Sequence, residues 1–404
     1  MKIAFVSYEF PPSVAIGGIG TYVWEASKML SAAGHRVEVF SAGSTCLEPA
    51  EAFGVKVHRV NAVSRDEFRS RVSPIFASRH RVCHFDLLES PEIGCEAALI
   101  NYQFPDLPLV CKLHTPSYLV NILGHERSTL VERCRFRLGA LRRGRWAGLN
   151  TVRYQRDLDP EWLFVSRADE IVAPSTSIAQ RLIDDWSLDS ERTSIFPLPF
   201  SPDPALLNVS IQSRALTIGF LGRLEARKGV VELARAIPRI LKKAPHLQFR
   251  FLGPSWPYRN GNMEDWIRTV CRAHLDRITF VGSVDRGQLA YELGKCDIVT
   301  LPSRWENFPY ACWEVMAAGR AVIGSEAGGM SEVIQPHTNG LLVPPRSSPA
   351  IAEAVLTLVS DPFQVAKLGH AARERVLNYL SPARILPLQL ASYDRALASA
   401  ACRS

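Results

Sequence analysis

Phe196-Pro197-Leu198-Pro199-Phe200-Ser201-Pro202-Asp203-Pro204 divides the chain. Four prolines in nine residues exclude a helix interior and a central strand, because proline lacks the N–H that either ladder needs and its ring fixes φ. The stretch reads as a linker, and what stands on either side of it decides the fold. Upstream, short apolar runs suited to strands buried on both faces recur at 2–7, 35–40, 55–60, 85–88, 109–113 and 170–173. A helical pattern covers 21–33, with Gly34 as its C-cap. Downstream the alternation restarts: strands are predicted at 216–221, 248–252, 278–281, 298–301 and 321–324, with helices at 230–243, 263–274, 288–293 and 309–318. Strand–helix alternation in both halves predicts an α/β protein of two doubly wound parallel sheets. The expected division is 1–199, 200–379 and a last helical segment, 380–404, crossing back to the first half. Ligands of such sheets bind beyond the carboxyl ends of the strands, so the chemistry is sought in the loops that follow strands.

Composition narrows the class. The chain has 404 residues, 47% hydrophobic and 22% charged, which suits two or three globular domains and excludes a disordered chain, a collagen or a coiled coil. No apolar stretch approaches the roughly 18 residues of a membrane span. Met1–Phe10 reads as a first strand, since a signal peptide needs a longer apolar region and a small-residue cleavage site. Nine cysteines without a Cys-x-x-Cys pair point to reduced thiols in a cytoplasmic protein, not to disulfides or zinc. The net charge of +7 is local: 127–156 holds nine Arg and one acid, Glu132, leaving 38 basic and 39 acidic residues elsewhere. General nucleic-acid binding is therefore not expected.

Three loops carry candidate chemistry. Gly17-Gly18-Ile19-Gly20 precedes a helix and offers close backbone approach with free N–H groups, as a phosphate would need; an ordinary strand–helix loop reads the same way. Gly222-Arg223-Leu224-Glu225-Ala226-Arg227-Lys228-Gly229 follows the first strand of the second half. Arg223 supplies a planar fork and Lys228 a point charge, five positions apart, as a pyrophosphate requires. Glu306-Asn307-Phe308-Pro309-Tyr310-Ala311-Cys312-Trp313-Glu314 follows a strand and enters a helix near Pro309. Its two carboxylates suit hydroxyl pairs such as those of a ribose. Asp157-Leu158-Asp159 has the look of a metal-binding pair but sits before Pro160 in the basic segment, and no metal site is expected. Within that segment Leu130, Val131, Cys134, Leu138 and Leu141 fall on one helical side, flanked or opposed by Arg133, Arg135, Arg137, Arg142 and Arg143. A basic amphipathic helix docks on an anionic membrane surface or packs with a solvated Arg face; both readings stay open.

Taken in order, these motifs resemble the retaining glycosyltransferases of the GT-B fold in the family 4 group, two Rossmann-like domains facing each other across a cleft. The resemblance spans nearly the whole chain. It includes Gly17-Gly18, His114-Thr115-Pro116, the strand from Asp169 to Ser175, Gly222-Arg223-Leu224 with Lys228-Gly229, Glu306 with Glu314 eight positions on, and Gly328-Gly329 with Glu332. It implies that Arg223 and Lys228 hold the donor diphosphate, Glu314 the ribose hydroxyls and Glu306 the hydroxyls of the transferred sugar. His114 would lie near that sugar, and Gly17 and Gly18 would cap the diphosphate from the first domain. Relatives usually carry Gly at the positions of Asn307 and Pro309; with proline there, phosphate contacts must come from Phe308 or Tyr310 N–H.

The implied activity is metal-independent, retaining transfer of a hexose-type sugar from a nucleoside-diphosphate sugar to an acceptor, with no cofactor. UDP is expected ahead of GDP. The expected acceptor is a sugar or a lipid-linked glycan of bacterial cell-surface polysaccharide or glycolipid synthesis, and the expected place is the cytoplasm, with or without peripheral contact at the inner face of the plasma membrane. A nucleotide-sugar epimerase, or a non-catalytic nucleotide-sugar-binding protein, would use the same scaffold. A phosphorylase would need a lysine for pyridoxal phosphate, and with nine Lys against 38 Arg only Lys228 is well placed.

Overall fold

In the computed structural model the protein is described over residues 1–14, 17–44, 51–52, 54–124, 154–211 and 213–403. The helix read at 130–143, with most of the basic segment, lies outside these residues. Among the described residues, eight strands form the first sheet: β1 (Lys2–Val6), β2 (Arg36–Ala42), β3 (Glu51–Ala52), β4 (Val55–Val60), β5 (Leu87–Pro91), β6 (Leu109–Lys112), β7 (Glu170–Ala173) and β8 (Thr193–Ile195). Their order is β3-β4-β2-β1-β5-β6-β7-β8, parallel except for β3. The second sheet holds β9 (Thr217–Leu221), β10 (Gln248–Leu252), β13 (Ile278–Gly282), β14 (Ile298–Leu301), β15 (Ala321–Ser325) and β16 (Leu341–Val343), ordered β13-β10-β9-β14-β15-β16 and wholly parallel. A small hairpin, β11 (Pro257–Tyr258) with β12 (Gly261–Asn262), lies apart.

Chain order reverses between β1 and β5 in the first sheet and between β9 and β14 in the second. At such a switch point the connections leave in opposite directions and open a crevice at the carboxyl ends of the strands. Three of the quoted loops start there, after β1, β9 and β14. The fold class is the expected one.

Local boundaries shift for physical reasons. The first helix runs Gly18–Ala32 with Gly17 as N-cap, so the glycine run is the helix start, not a loop ahead of it. The predicted helix 263–274 stops at Val270 and continues as a 3-10 stretch, Arg272–Arg277. β8 and β16, three residues each, are too short for an alternation signal. The proline stretch is less a free linker than a packed strap: Phe196, Leu198 and Phe200 are buried, and Phe200 N–H donates to Leu380 C=O at 2.9 Å.

The last helix, Pro382–Ala401, returns to the first sheet and is held by polar groups. Buried Glu89 on β5 accepts from Gln389 Nε2 at 2.9 Å and Tyr393 O–H at 2.6 Å, and also from Tyr22 O–H. Lys112 Nζ donates to Gln389 at 3.3 Å and lies over the Phe196 ring at 4.2 Å. Arg395 pairs with Glu170 at 2.9 Å. Buried polar groups must be satisfied, so this register of helix on sheet is tightly specified. Among the described residues no helix is long and apolar enough to cross a membrane.

Candidate active site

A crevice of about 410 Å³ opens between the two sheets. The first half contributes Gly17, Gly18, His114 and Thr115; the second contributes Arg223, Lys228, Glu306, Asn307, Phe308, Tyr310 and Glu314. Every site residue named from the sequence lines this one crevice. The two halves approach closely, since a Cβ on Gly18 would stand 3.7 Å from the Tyr310 ring.

The cationic wall is built from β9. Beyond Leu221 the chain turns through Gly222 and a 3-10 stretch, Ala226–Lys228, and then Gly229 opens the helix Val230–Lys243. Gly229 is required here: its φ is +72°, and a Cβ would lie 1.8 Å from Pro302 C=O. That contact docks the loop on the segment after β14, where Arg304 N–H donates to Arg227 C=O at 2.8 Å. Beneath it the buried pair Arg304–Glu232, at 3.1 Å, joins the segment to the helix.

Lys228 Nζ stands 2.5 Å from a Glu306 carboxylate oxygen, and Arg227 Nη1 stands 3.3 Å from the same oxygen. Burial pushes the Lys228 pKa down, against the pull of Glu306. Burial would raise Glu306, but the Lys228 and Arg227 charges outweigh it and hold the carboxyl below its ordinary range. Arg223 lies over the Trp256 ring at 5.2 Å.

Glu314 sits in the helix Tyr310–Ala317, whose N-cap is Pro309. The helix's first residues, Tyr310 and Ala311, also line the crevice. Burial pushes the Glu314 carboxyl up to about 7, and the Arg286 charge opposes this in part. Among the described residues the carboxylate has no hydrogen-bond partner. Tyr310 O–H donates to Pro199 C=O at 3.1 Å, and Phe308 is buried against Trp313, ring centroids 4.8 Å apart.

His114 follows β6. Its N–H donates to both Glu92 oxygens at 2.9 Å, and its C=O accepts from Asn307 Nδ2. Burial, with the Lys112 and Arg65 charges, lowers the imidazole to about 3, so it is neutral at ordinary pH. Its Nε2 is buried without a partner. Asn307 bridges the halves: besides His114 it takes the Ser175 hydroxyl at 3.1 Å on Oδ1. Nearby, Ser177 N–H donates to Glu332 at 3.1 Å, and Gly329 N–H donates to Glu306 C=O at 2.9 Å. The serine and the Gly-Gly-x-x-Glu turn singled out in the sequence thus serve contact between the halves.

Two cations of the crevice escape the sequence reading. Arg227 stood inside the quoted motif, but at a position that the family pattern leaves open. Arg286 begins the helix Arg286–Gly294 after β13 and donates to Thr21 across the crevice at 3.2 Å; no motif marks it. The aspartate pair does other work. Asp159 caps the helix Pro160–Val165, accepting from Glu161 N–H at 2.9 Å, and Asp157 pairs with Arg156 at 2.9 Å.

Residues 16–203 match the profile of Glycosyltransferase Family 4, and residues 215–361 that of Glycosyl transferases group 1. The D-inositol 3-phosphate glycosyltransferase of Pseudarthrobacter chlorophenolicus is 27% identical, over 96% of this chain and 93% of its own. Among solved structures, sucrose-phosphate synthase from Thermosynechococcus elongatus superposes with a TM-score of 0.73 at 21% identity, covering 98% of this chain and 99% of its own. Anabaena HepE in complex with UDP-glucose gives 0.68 at 19%, covering 97% and 100%. The crevice therefore lies in a glycosyltransferase of the GT-B fold, and the chain belongs to the family 4, group 1 glycosyltransferases.

Proposed function

We propose that this glycosyltransferase moves a hexose-type sugar from a nucleoside-diphosphate sugar to a sugar or lipid-linked acceptor, with retention at the anomeric carbon and without a metal ion. The observation that carries the reading is the convergence of Arg223, Arg227 and Lys228 with Glu306 and Glu314 on one crevice. Breaking a sugar–phosphate bond places negative charge on the departing diphosphate and positive charge on the ring. Fixed cations at the leaving group lower that barrier, each by roughly 3 kcal/mol for a preorganised donor. In this reading Arg223 and Lys228 hold the diphosphate, with Gly17, Gly18, Phe308 and Tyr310 N–H closing around it. Glu314 accepts the ribose hydroxyls, and Glu306 and Asn307 face the transferred sugar.

The acceptor side supports retention. An inverting displacement needs a base on the face opposite the leaving group. His114 faces the crevice from the first half, but an imidazole held near pKa 3 is a poor base. The departing phosphate oxygen is the better proton acceptor. The acceptor hydroxyl then attacks from the leaving group's own face, gives its proton to that oxygen, and forms the new bond with the old configuration. Neutral His114 contributes its dipole and its place beside the sugar.

UDP is placed ahead of GDP, in keeping with the UDP-glucose complex of Anabaena HepE. A bacterial surface polysaccharide or glycolipid is the acceptor we favour, and the Arg-rich segment 127–156 is the feature that would bring a cytoplasmic enzyme to an anionic membrane. Incubation with UDP-, GDP-, ADP- and TDP-sugars, with and without an oligosaccharide acceptor, tests the reading. Acceptor-dependent release of nucleoside diphosphate in the presence of EDTA, with a product of the donor's anomeric configuration, is expected. Conversion of the nucleotide sugar without acceptor would point to an epimerase. Binding without turnover would point to a carrier.

A further inference from the structure

Glu225 has no part in the reading above, yet both of its partners are cations of the crevice. One carboxylate oxygen lies 2.9 Å from Arg227 Nη2 and 3.3 Å from Arg223 Nη2. The neighbouring carboxylate, Glu306, takes Arg227 from the other side and Lys228 beyond it. Five groups thus stand in one file of alternating sign: Arg223, Glu225, Arg227, Glu306, Lys228. Arg223 and Arg227 both line the crevice, and the Glu225 side chain between them is 16% exposed. Among the described residues its carboxylate has no hydrogen bond besides those from the two arginines, and only the more distant Lys228 charge adds to their hold.

Three cations crowded on one wall repel one another unless anions lie between them. A diphosphate would supply those anions, and here two carboxylates lie between the cations. They are not equivalent. Glu306 is buried between Arg227 and Lys228. Glu225 sits on the outer pair, and each of its partners has a second hold: Arg223 on the Trp256 ring and Arg227 on Glu306. Withdrawing Glu225 would therefore leave both guanidinium groups in position.

We propose that Glu225 is a displaceable internal anion: it holds the Arg223 and Arg227 guanidinium groups, yields them to the donor's diphosphate, and recaptures them as the diphosphate departs. The inference rests on the donor-site reading and adds to it a third phosphate cation, Arg227, and a device for product release. A ligand that must displace a carboxylate binds less tightly and leaves sooner than one entering bare forks.

Inorganic pyrophosphate, which carries no base or sugar, is the probe. It is titrated calorimetrically into the full-length protein, with thermal melting to verify that each variant is folded. Glu225→Gln should lower the pyrophosphate Kd about five- to tenfold and slow its release. Glu264→Gln, which removes an acid of the same half outside the crevice, should change nothing. Arg227→Gln should weaken binding, and in that background the gain from Glu225→Gln should shrink to twofold or less, the coupling that a shared partner produces. Unchanged or weaker binding by Glu225→Gln, or an equal gain from Glu264→Gln, would overturn the proposal. If the wild type binds pyrophosphate, Lys228→Ala abolishes it and Glu225→Gln has no effect, this inference fails while the donor site stands. If neither wild type nor Glu225→Gln binds, both fail.

Discussion

Arg223 and Lys228 reach the crevice by different chemistry, and the difference sets what their loss should do. Arg223 is a third exposed and rests on an aromatic ring, whereas Lys228 is drawn inward onto Glu306. Lys228→Ala is expected to lower kcat/KM by two to three orders of magnitude, the scale of one preorganised donor, and to lower the melting temperature, since the buried Glu306 carboxylate loses its nearest cation. Arg223→Lys keeps the charge but loses the fork, and about a tenfold loss is expected. Glu314 supplies a pH signature. Its carboxyl titrates about 7 because burial raises it, so the ionised form that best accepts ribose hydroxyls is populated above pH 7 and depleted below it. Nucleotide affinity should therefore fall more steeply as pH drops from 8 to 6 in the wild type than in Glu314→Gln, whose remaining slope is that of the nucleotide's own terminal phosphate. His114, near 3, stays neutral throughout that window. Calorimetric Kd values across the range check both statements; the same slope in the wild type and in Glu314→Gln would remove the carboxylate from the account.

The element that matters most is the β9 turn together with the helix it opens. Its geometry depends on Gly229, whose positive φ and contact with Pro302 C=O leave no room for a side chain. Gly229→Ala should cost about 2 kcal/mol of stability from strain alone and shift the Lys228 ammonium away from Glu306. A lowered melting temperature with pyrophosphate binding lost checks it. This element was largely legible in one dimension, because a strand, a turn glycine and cations at fixed spacing form a local signal. The second function of Arg227 was not, since only β14, brought alongside β9 by the sheet order, reveals that its fork spans two carboxylates. Arg286 was harder still. Its helix signal is ordinary, and its role depends on Thr21, 265 positions away.

On the scale of the molecule, the two sheets and their alternation could be read from sequence because parallel strands buried on both faces leave apolar runs. How the halves meet could not. Asn307, Ser175, Ser177 and Glu332 form a bridge between the halves beside Glu306, and each alone looks like a cap or a turn residue. The proline stretch read as the domain linker is buried and bonded through Phe200 N–H to Leu380 C=O, just ahead of the last helix, because alternate apolar residues between its prolines face inward. Asn307→Ala should loosen this bridge. The radius of gyration of the nucleotide-free variant should exceed that of the wild type in small-angle scattering, and saturating nucleotide should restore the compact value. An unchanged profile would show that the other contacts suffice.

The central claim is that the crevice at the β9–β14 switch point holds a donor diphosphate. A crystal structure of the protein with a bound nucleoside diphosphate tests it most directly. The account predicts phosphate oxygens within about 3 Å of Arg223 and Lys228 and ribose hydroxyls on Glu314. A diphosphate seated elsewhere, with Lys228 still closed on Glu306 and Glu225 still holding both arginines, would contradict it.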